Sequence, residues 1–340
     1  MSDKKIKFAV IGCGHIGKRH AEMISRNDDS ELVALCDVLP KEKLGLDAYP
    51  NVPFFPSAEA MLASGIEIDA VSVCSPNGLH ATHSLNALEA KKHVICEKPM
   101  ALSKADCEEV IHTALKVHRQ VFCVMQNRYS PPAEWLKELI ESKKLGDIYM
   151  VQLNCYWNRD ERYYKPGTWK GKKDMDGGVL FTQFSHFIDM MYWLFGDIAN
   201  IKAHFFNFNH KKSTEFDDSG VVSFQFTKQG MGCINFSTSV WDTNFESSLT
   251  IIGEHGTVKV GGQYMDKIEY CHIKDYTMPK LAPTNPANDY GSYKGSAANH
   301  HYIIENVVRT LKGDSTVSTN ALEGLKVVDM IERIYAAKKK

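Results

Sequence analysis

Short apolar runs alternate with helical patterns through the first 124 residues of the chain. Ser57 and Ser103 stand where two of these helices begin, and Ser103 with Asp106 forms a capping box. Strands that alternate with helices predict a parallel sheet with right-handed crossovers. The predicted strands cover residues 6–11, 32–36, 52–55, 69–75, 93–97 and 121–124. We therefore predict an α/β domain with a doubly wound parallel sheet over residues 1–124.

The pattern changes after residue 130, where apolar and polar residues alternate over short stretches. Such alternation predicts strands that bury one face, so we expect a substrate-binding and oligomerisation α+β domain over residues 125–340, with a large, mostly antiparallel sheet. The other face, which carries Ser223, Gln225 and Asn235, either faces solvent or is covered by a second subunit. The last helix could pack back on the first domain, and the segment after Tyr276 is expected to be a mobile loop. The predicted strands cover residues 148–157, 201–208, 220–226, 231–240, 248–252 and 268–273, and the helices 133–143, 178–195, 298–312 and 321–337.

Charge and cysteine content restrict the class of protein. Acidic residues number 41 and basic residues 40, so nucleic acid is not expected as the main partner. No apolar run reaches the ~20 residues that span a bilayer. Because MSDKKIKF leads directly into a predicted strand, we expect no signal peptide. The nine cysteines show no zinc-binding spacing, so we expect reduced thiols, no metal site and a cytoplasmic protein.

A glycine motif follows the first strand, and an acidic residue follows the second. Gly12 is expected to make a tight turn, Gly14 to let the backbone approach a pyrophosphate, and Gly17 to let the helix pack on the strand. Asp37 would accept hydrogen bonds from a ribose 2′-hydroxyl and repel a 2′-phosphate, which favours NAD over NADP. A glycine turn that binds nothing is the alternative. The agreement of strand, turn, helix, strand and acid favours a Rossmann domain that binds a dinucleotide.

Two further strand ends carry polar residues that would line the same crevice. Ser75 and Asn77 follow the fourth predicted strand and are suited to hydrogen-bond the nicotinamide half of a dinucleotide. Lys98 follows the fifth predicted strand, where burial disfavours the charged ammonium, so it could exchange a proton near neutral pH. A surface lysine that pairs with Glu97 is the other interpretation.

A predicted helix over residues 178–195 carries a polar stripe. Thr182, His186 and Asp189 fall on one side at spacings of four and three, among mostly apolar residues. These groups are either satisfied inside the domain or face a cavity where they act. His80 and His83 lack a carboxylate or thiol partner at metal-binding spacing, and His300 is expected on the surface of a terminal helix.

Together these motifs resemble the glucose-fructose oxidoreductase / inositol dehydrogenase / MocA-like (Gfo/Idh/MocA) family over essentially the whole chain. The resemblance lies in the glycine motif at 11–17, Ser75-Pro-Asn with His80, Glu97-Lys98-Pro99, and the helix with His186. It implies a two-domain NAD enzyme with Lys98 at the cofactor–substrate junction, a Lys98–Pro99 bond that is often cis, and His186 as the acid/base. The cofactor-binding residues it implies are Gly12, Gly14, His15, Ile16, Gly17, Asp37, Ser75, Asn77, His80, Glu97, Lys98 and Gln126.

One position departs from the family pattern. Many relatives carry Asp four residues before the histidine, whereas this chain has Thr182, whose hydroxyl cannot stabilise an imidazolium as a carboxylate does, so more of the proton transfer falls to Lys98. The uncharged pair Thr182-Gln183 resembles the branch that oxidises UDP-N-acetylglucosamine, or its uronic acid, at C3. Segments 126–129, 156–159, 163–164 and 169–171 also resemble that branch. The substrate-binding residues this implies are Lys98, Arg128, Asn158, Arg159, Trp169, Thr182, Gln183 and His186.

The sequence therefore predicts an NAD(P)-dependent dehydrogenase that acts on a CH–OH group, with NAD as its cofactor. The favoured substrate is a nucleotide-linked amino sugar, and the alternative is free inositol, another polyol or a free sugar. A non-catalytic sensor that binds NAD could use the same fold, and it is the alternative that is not an enzyme. We expect a homodimer or homotetramer, because a large exposed sheet face is often covered by a symmetry mate. We expect no nucleic-acid or membrane partner.

Overall fold

The computed structural model describes residues 4–291 and 293–338. The chain divides into two compact units. The first takes the residues up to Val124 together with His300–Val328, and the second takes Met125–Asn299 together with the residues from Asp329 onwards. Residues 300–328, which the sequence analysis placed in the second domain, thus group with the first unit. No helix among the described residues is both long and apolar enough to cross a membrane.

Helices occur in both units. The helices are, in chain order, α1 His15–Arg26, α2 Ala58–Leu62, α3 His80–Glu89, α4 Lys104–Lys116, α5 Pro131–Glu141, α6 Val179–Thr182, α7 Ser185–Phe195, α8 His300–Leu311 and α9 Ala321–Ala336. The Oγ atoms of Ser57 and Ser103 accept hydrogen bonds from the N–H groups of Ala60 and Asp106, both at 3.1 Å. These bonds confirm the two N-caps predicted from the sequence.

The first unit is built around a parallel sheet of six strands, in the order β3-β2-β1-β4-β5-β6. Its strands are β1 Ile6–Ile11, β2 Ser30–Cys36, β3 Phe54–Phe55, β4 Ala70–Val73, β5 His93–Cys96 and β6 Val121–Cys123. β1 and β4 are almost wholly buried, so their sequences are continuous apolar runs. The strand order reverses between β1 and β4, where the carboxyl ends of parallel strands open a crevice. The predicted doubly wound fold is confirmed.

The second unit contains a sheet of seven strands in the order β13-β12-β11-β7-β10-β9-β8, in which only β7 and β10 pair in parallel. The inner face is aromatic and aliphatic, with Val222, Phe224, Ile234 and Phe236 buried. The predicted mostly antiparallel sheet is therefore confirmed. Its strands are β7 Ile148–Tyr156, β8 Ile198–Phe206, β9 Ser219–Phe226, β10 Met231–Ser237, β11 Glu246–Gly253, β12 Gly256–Gly261 and β13 Lys267–Ile273.

Three strands of this unit were not predicted from the sequence. β12 forms a hairpin with β11 across residues 253–256, which the sequence analysis treated as a turn without a following strand. A small antiparallel pair, β14 Ala287–Asp289 and β15 Lys294–Ala297, lies inside the segment predicted to be a mobile loop. β14 and β15 have only three and four residues, too few to show an alternation of apolar and polar side chains. In β12, by contrast, Val258 and Val260 do alternate with Thr257 and Lys259.

The predicted helix over residues 178–195 is two helices, α6 and α7. The N–H groups of Gln183 and Phe184 both bond to the carbonyl of Val179, and the next helical bonds begin at Phe184 itself. The axis is therefore interrupted after Thr182, although the apolar pattern continues through the break. The prediction of one continuous helix was wrong.

Candidate active site

The glycine turn between β1 and α1 leaves space beside the backbone. Gly12 has a φ of +87°, and a Cβ there would lie 2.7 Å from the backbone of Cys74 and Ser75. A Cβ on Gly17 would lie 1.8 Å from the carbonyl oxygen of Gly12, so only glycine lets the helix pack on the turn. A Cβ on Gly14 would meet no described atom within 4 Å, so this side of the turn is open. Such a turn, at the start of a helix, fits the pyrophosphate of a dinucleotide.

Asp37, at the end of β2, is held by the same turn. Its Oδ2 accepts a hydrogen bond from the N–H of Cys13 at 2.7 Å, and its Oδ1 accepts one from the N–H of Leu39 at 2.9 Å. The carboxylate remains half-buried, with lone pairs left to accept from a ribose hydroxyl. At the start of α1, His15 is exposed and Ile16 is half-buried. The residues present therefore fit the adenosine half of NAD.

The segments after β4 and β5 are joined by a buried histidine. His80 Nδ1 lies 2.7 Å from the carbonyl oxygen of Pro99, and its Nε2 lies 2.8 Å from that of Ser75. Burial lowers the pKa of His80, and the two carbonyl contacts act in the opposite direction. Ser75 Oγ lies 2.8 Å from His83 Nδ1, and Asn77 is buried in a short helical turn. Ser75 and His80 are thus brought together as the sequence suggested.

Glu97, at the end of β5, is buried between two histidines. Its Oε1 lies 3.0 Å from Nε2 of His20 and 3.3 Å from Nε2 of His300, and its Oε2 accepts a hydrogen bond from the Lys98 N–H at 3.1 Å. Burial disfavours the charged carboxylate, but the imidazoles outweigh it and hold the pKa of Glu97 well below its usual range. His300 is buried here, so its predicted surface position was wrong. Its burial depends on a carboxylate distant in the sequence.

The cluster of His20, Glu97 and His300 also has the composition of a metal site. Within the described part of the chain, these three residues form the group whose potential ligand atoms lie close enough together to bind one metal ion. However, His20 Nε2 is already within hydrogen-bond distance of Glu97 Oε1. The arrangement is explained by hydrogen bonding that holds the carboxylate against the backbone of Lys98. Lys98 itself is half-buried, and its peptide bond with Pro99 is cis, as the family resemblance implies.

His186 lies in the first turn of α7 and is 3 % exposed. Asp189, one turn later, accepts hydrogen bonds from Arg128 Nε at 2.9 Å and Nη2 at 2.6 Å, and both side chains are buried. The Arg128 guanidinium also lies 5.2 Å from the centroid of the Trp193 ring. This bidentate pair fixes α7 against the turn at residues 126–129. It also uses the Nε and Nη2 donors of Arg128 for a bond within the protein.

Thr182 contacts a carboxylate that the sequence analysis did not single out. Its hydroxyl donates to the backbone oxygen of Asp176 at 2.8 Å and also contacts the Asp176 side chain. Asp176 Oδ2 accepts a further bond from the Gly171 N–H at 2.8 Å, and burial raises the pKa of this carboxyl. A buried carboxyl group thus lies beside Thr182, on the preceding loop. The only local signal for it is its position just before a glycine pair.

Arg159 and Gln183 are brought together in the second unit. Arg159 Nε donates to Gln183 Oε1 at 2.7 Å, and Gln183 Nε2 donates to the hydroxyl of Tyr163 at 2.8 Å. Arg159 is only 2 % exposed. Asn158 bonds to the backbone of Val240 at 2.8 Å, and Trp169 is half-buried on the same loop. Arg159 and Gln183, which the sequence predicted to bind the substrate, therefore belong to one buried hydrogen-bond network.

Gln126 and Arg162 both pair with other groups of the second unit. Gln126 is buried, and its Nε2 donates to the carbonyl of Ala297 at 3.1 Å within the second unit. Arg162 is exposed and pairs with Asp160 at 2.6 Å and with Asp242 at 3.3 Å. The ion pairs of Arg162 are therefore those of a surface loop.

Comparison with known proteins places these motifs in one family. Residues 6–125 match the model described as an oxidoreductase family with an NAD-binding Rossmann fold, and residues 134–259 match the GFO/IDH/MocA C-terminal domain. The chain is 30% identical over 260 residues to D-glucoside 3-dehydrogenase of Escherichia coli, which covers 73% of each chain. It is 26% identical to myo-inositol 2-dehydrogenase of Thermotoga maritima, with 74% of each covered.

A solved structure extends the match to nearly the whole chain. The WlbA dehydrogenase from Bordetella pertussis, in complex with NADH and UDP-GlcNAcA, is 32% identical with a TM-score of 0.87. The similarity covers 98% of this chain and 96% of that one. The family models confirm the resemblance seen in the motifs, and with it the predicted enzyme class and cofactor. The chain belongs to the Gfo/Idh/MocA family of oxidoreductases and is an NAD-dependent member of it.

Proposed function

We propose that this protein oxidises a UDP-linked N-acetylamino sugar, UDP-N-acetylglucosamine or its uronic acid, at C3. The observation that carries the proposal is the similarity to the WlbA dehydrogenase over almost the full length of both chains, since that enzyme holds UDP-GlcNAcA beside NADH. The Thr182-Gln183 pair supports the same branch, because it occupies the position where many family members carry an aspartate. The E. coli relative is named for oxidation at position 3 of a sugar.

Lys98 is the proposed base of this reaction, and His186 is its proposed partner at the substrate hydroxyl. Bound NAD would supply the hydride acceptor for the ring carbon. Lys98 takes the proton of the hydroxyl on that carbon, and His186 orients the hydroxyl and shares the proton. The bond from the Lys98 N–H to Glu97 Oε2 fixes the backbone from which the side chain extends, and Lys98 acts as a base in its neutral amine form. Gly12, Gly14, Gly17 and Asp37 hold the dinucleotide.

The variant Lys98→Met tests the assignment of the base. We expect it to lower kcat by at least about 100-fold, the usual contribution of a general base, while the Kd for NADH measured by fluorescence changes less than about threefold. Lys116→Met, on the exposed side of α4, is the matched control and should retain full activity. A Lys98→Met enzyme that binds NADH poorly but turns over normally when saturated would contradict a chemical role.

The substrate class is tested by initial rates of nicotinamide reduction. The panel contains UDP-N-acetylglucosamine, its uronic acid, myo-inositol and glucose, each with NAD and with NADP. We expect a UDP-sugar with NAD to give the highest kcat/KM. Faster oxidation of myo-inositol would favour the polyol alternative, for which the T. maritima relative is the precedent. No reduction with any sugar, combined with ligand-dependent binding of a partner, would favour a sensor.

A further inference from the structure

Two cationic side chains of the second unit face the same pair of tyrosine rings. The Arg159 guanidinium carbon lies 5.1 Å from the centroid of the Tyr163 ring and 5.2 Å from that of Tyr293. The Lys170 ammonium lies 3.8 Å and 4.7 Å from the same two centroids. The rings stand edge to face, 4.9 Å apart. Because each cation is attracted to the ring faces, the tyrosines hold two positive charges close to one another.

The hydrogen bonds of Arg159 are made to neutral oxygens. Besides Gln183, it donates from Nη1 to the Asn158 carbonyl at 2.5 Å and to Asn244 Oδ1 at 3.0 Å, and from Nη2 to the Lys294 carbonyl at 3.2 Å. No ion pair within the described ranges involves Arg159, and its guanidinium is almost fully buried. Its donors are therefore largely committed to the protein, but its charge is not neutralised by a bonded carboxylate.

The Lys170 ammonium has three N–H donors, more than its contacts in the structure use. It donates a long hydrogen bond, 3.4 Å, to the hydroxyl of Tyr293, and none of the ion pairs among residues 4–291 and 293–338 includes it. Burial, together with the charges of Arg159 and Lys165, lowers the pKa of Lys170 to about 8, while Asp176 acts in the opposite direction. Asp176 is itself bonded to Thr182 and Gly171. The ammonium is thus half-buried, repelled by a neighbour and able to bond a new acceptor.

We infer that Lys170 binds an anionic group of the substrate, with Arg159 supplying a second, fixed positive charge behind the tyrosine rings. The inference rests on the proposed function, because a UDP-sugar brings two such groups, the diphosphate and, in the uronic acid, the sugar carboxylate. An anion at Lys170 would relieve the repulsion between the two cations. A lysine ammonium binds either group as a point charge. Gln183 links this cluster to the start of α7, where His186 lies.

The test compares KM and kcat of Lys170→Met, Lys170→Arg and Lys172→Met with those of the unaltered enzyme. Lys172 is an exposed lysine of the same loop and serves as the matched control. With UDP-N-acetylglucosamine uronic acid, we expect Lys170→Met to raise KM by about 10- to 100-fold, the usual loss for a charge-assisted hydrogen bond, with less change in kcat. Lys170→Arg should recover most of the affinity, and Lys172→Met should behave as the unaltered enzyme.

The same variants distinguish the two anionic groups. An effect of Lys170→Met on the uronic acid alone identifies the carboxylate as the bound group, and an equal effect on UDP-N-acetylglucosamine identifies the diphosphate. An unchanged KM for both substrates in a folded Lys170→Met protein, as judged by circular dichroism, would overturn the inference. If the unaltered enzyme oxidises neither UDP-sugar, the proposed function fails. The inference is then judged by calorimetry with UDP-N-acetylglucosamine uronic acid, where undiminished binding by Lys170→Met overturns it.

The pH dependence of KM gives a second readout. Lys170 faces Tyr163, Tyr293, Arg159, Asp176 and Lys165. Since the ammonium loses its proton as the pH rises through about 8, KM for the bound anion should rise above that pH in the unaltered enzyme. Lys170→Arg keeps its charge, so its KM should stay level between pH 7 and pH 9. The same rise in both proteins would assign the pH effect to another group and contradict the inference.

Discussion

At the scale of single residues, the three glycines of the turn between β1 and α1 differ in whether the surrounding structure leaves room for a side chain. Gly17 faces the carbonyl of Gly12 so closely that any side chain would force the helix off the turn. Gly12 combines a positive φ with contacts to the backbone after β4. Gly14 touches nothing described that a methyl group would displace. The fold therefore requires glycine at two of the three positions, and at the third we expect a bound dinucleotide to require it.

This difference predicts opposite behaviour for two alanine variants. Gly14→Ala should keep the thermal unfolding midpoint within about 2 °C of the unaltered protein, because no contact is lost, yet weaken NADH binding by about tenfold or more. Gly17→Ala should lower the midpoint markedly, because its Cβ overlaps a backbone oxygen. Calorimetric scans and NADH fluorescence titrations measure both effects. Normal NADH affinity in Gly14→Ala would contradict the placement of the pyrophosphate at this turn.

At the scale of elements, the start of β5 is joined to β6 by a neutral histidine. His93 Nδ1 accepts a hydrogen bond from the N–H of Gln120 at 3.0 Å, so this nitrogen must be unprotonated in the folded state. Burial, followed by the charge of Arg119, lowers the pKa of His93 to about 4. An edge of the parallel sheet is therefore stabilised only while this ring is neutral.

The sign of the resulting pH effect follows from proton uptake. Between the unfolded pKa of 6.5 and the folded value of about 4, the unfolded chain binds a proton that the folded chain does not, so stability falls as the pH falls through this range. After allowance for partial solvent exposure, we expect His93 to contribute about 1 kcal/mol of this loss. His93→Asn, which keeps an acceptor, should lose less stability between pH 7 and pH 4.5 in urea titrations. His112→Asn, at an exposed position of α4, is the control, and identical pH slopes for all three proteins would rule out the effect.

The same elements explain which parts of the fold could be predicted from the sequence. Strands of the first unit are continuous apolar runs bounded by polar residues, and their positions agree with the sequence analysis to within a few residues. The break between α6 and α7 leaves no such mark, because Phe184 fits the apolar side of an uninterrupted helix as well as it fits the break. Local periodicity reports burial, and it does not report where a backbone turn is lost.

The candidate site divides in the same way. The glycine turn, Asp37 and the Glu97-Lys98-Pro99 segment are contiguous motifs, and they could be found in one sequence. The cluster of Arg159 and Lys170 depends on Tyr293, which lies far along the chain in a segment predicted to be a loop. The pairing of Glu97 with His300 is equally distant. Contacts of this kind arise from tertiary packing and have no local pattern. The roles assigned to Lys98, His186 and the remaining site residues stay predictions.

At the scale of the whole molecule, the outer face of the seven-stranded sheet bears on assembly. Ile252 of β11, Met150 of β7 and Met231 of β10 are direct cross-strand neighbours, and they are 39%, 42% and 51% exposed. Val221 of β9 is also exposed, at 56%. Farther along the same face, Asn154 accepts a hydrogen bond from Asn235 at 3.0 Å. An apolar row beside a polar one, on a broad sheet, has the composition of a subunit interface.

We therefore expect the protein to form a homodimer or homotetramer through this face, as the sequence analysis predicted. Sedimentation velocity at micromolar concentration should give a single species of at least twice the mass of the chain. Met231→Glu places a charge in the apolar row, and burying it would cost more than the interface gains, so the variant should dissociate to monomers. Gln229→Glu adds the same charge on the exposed turn between β9 and β10 and should leave the assembly intact. A monomeric unaltered protein would show that the face is solvated, and a Met231→Glu oligomer would place the interface elsewhere.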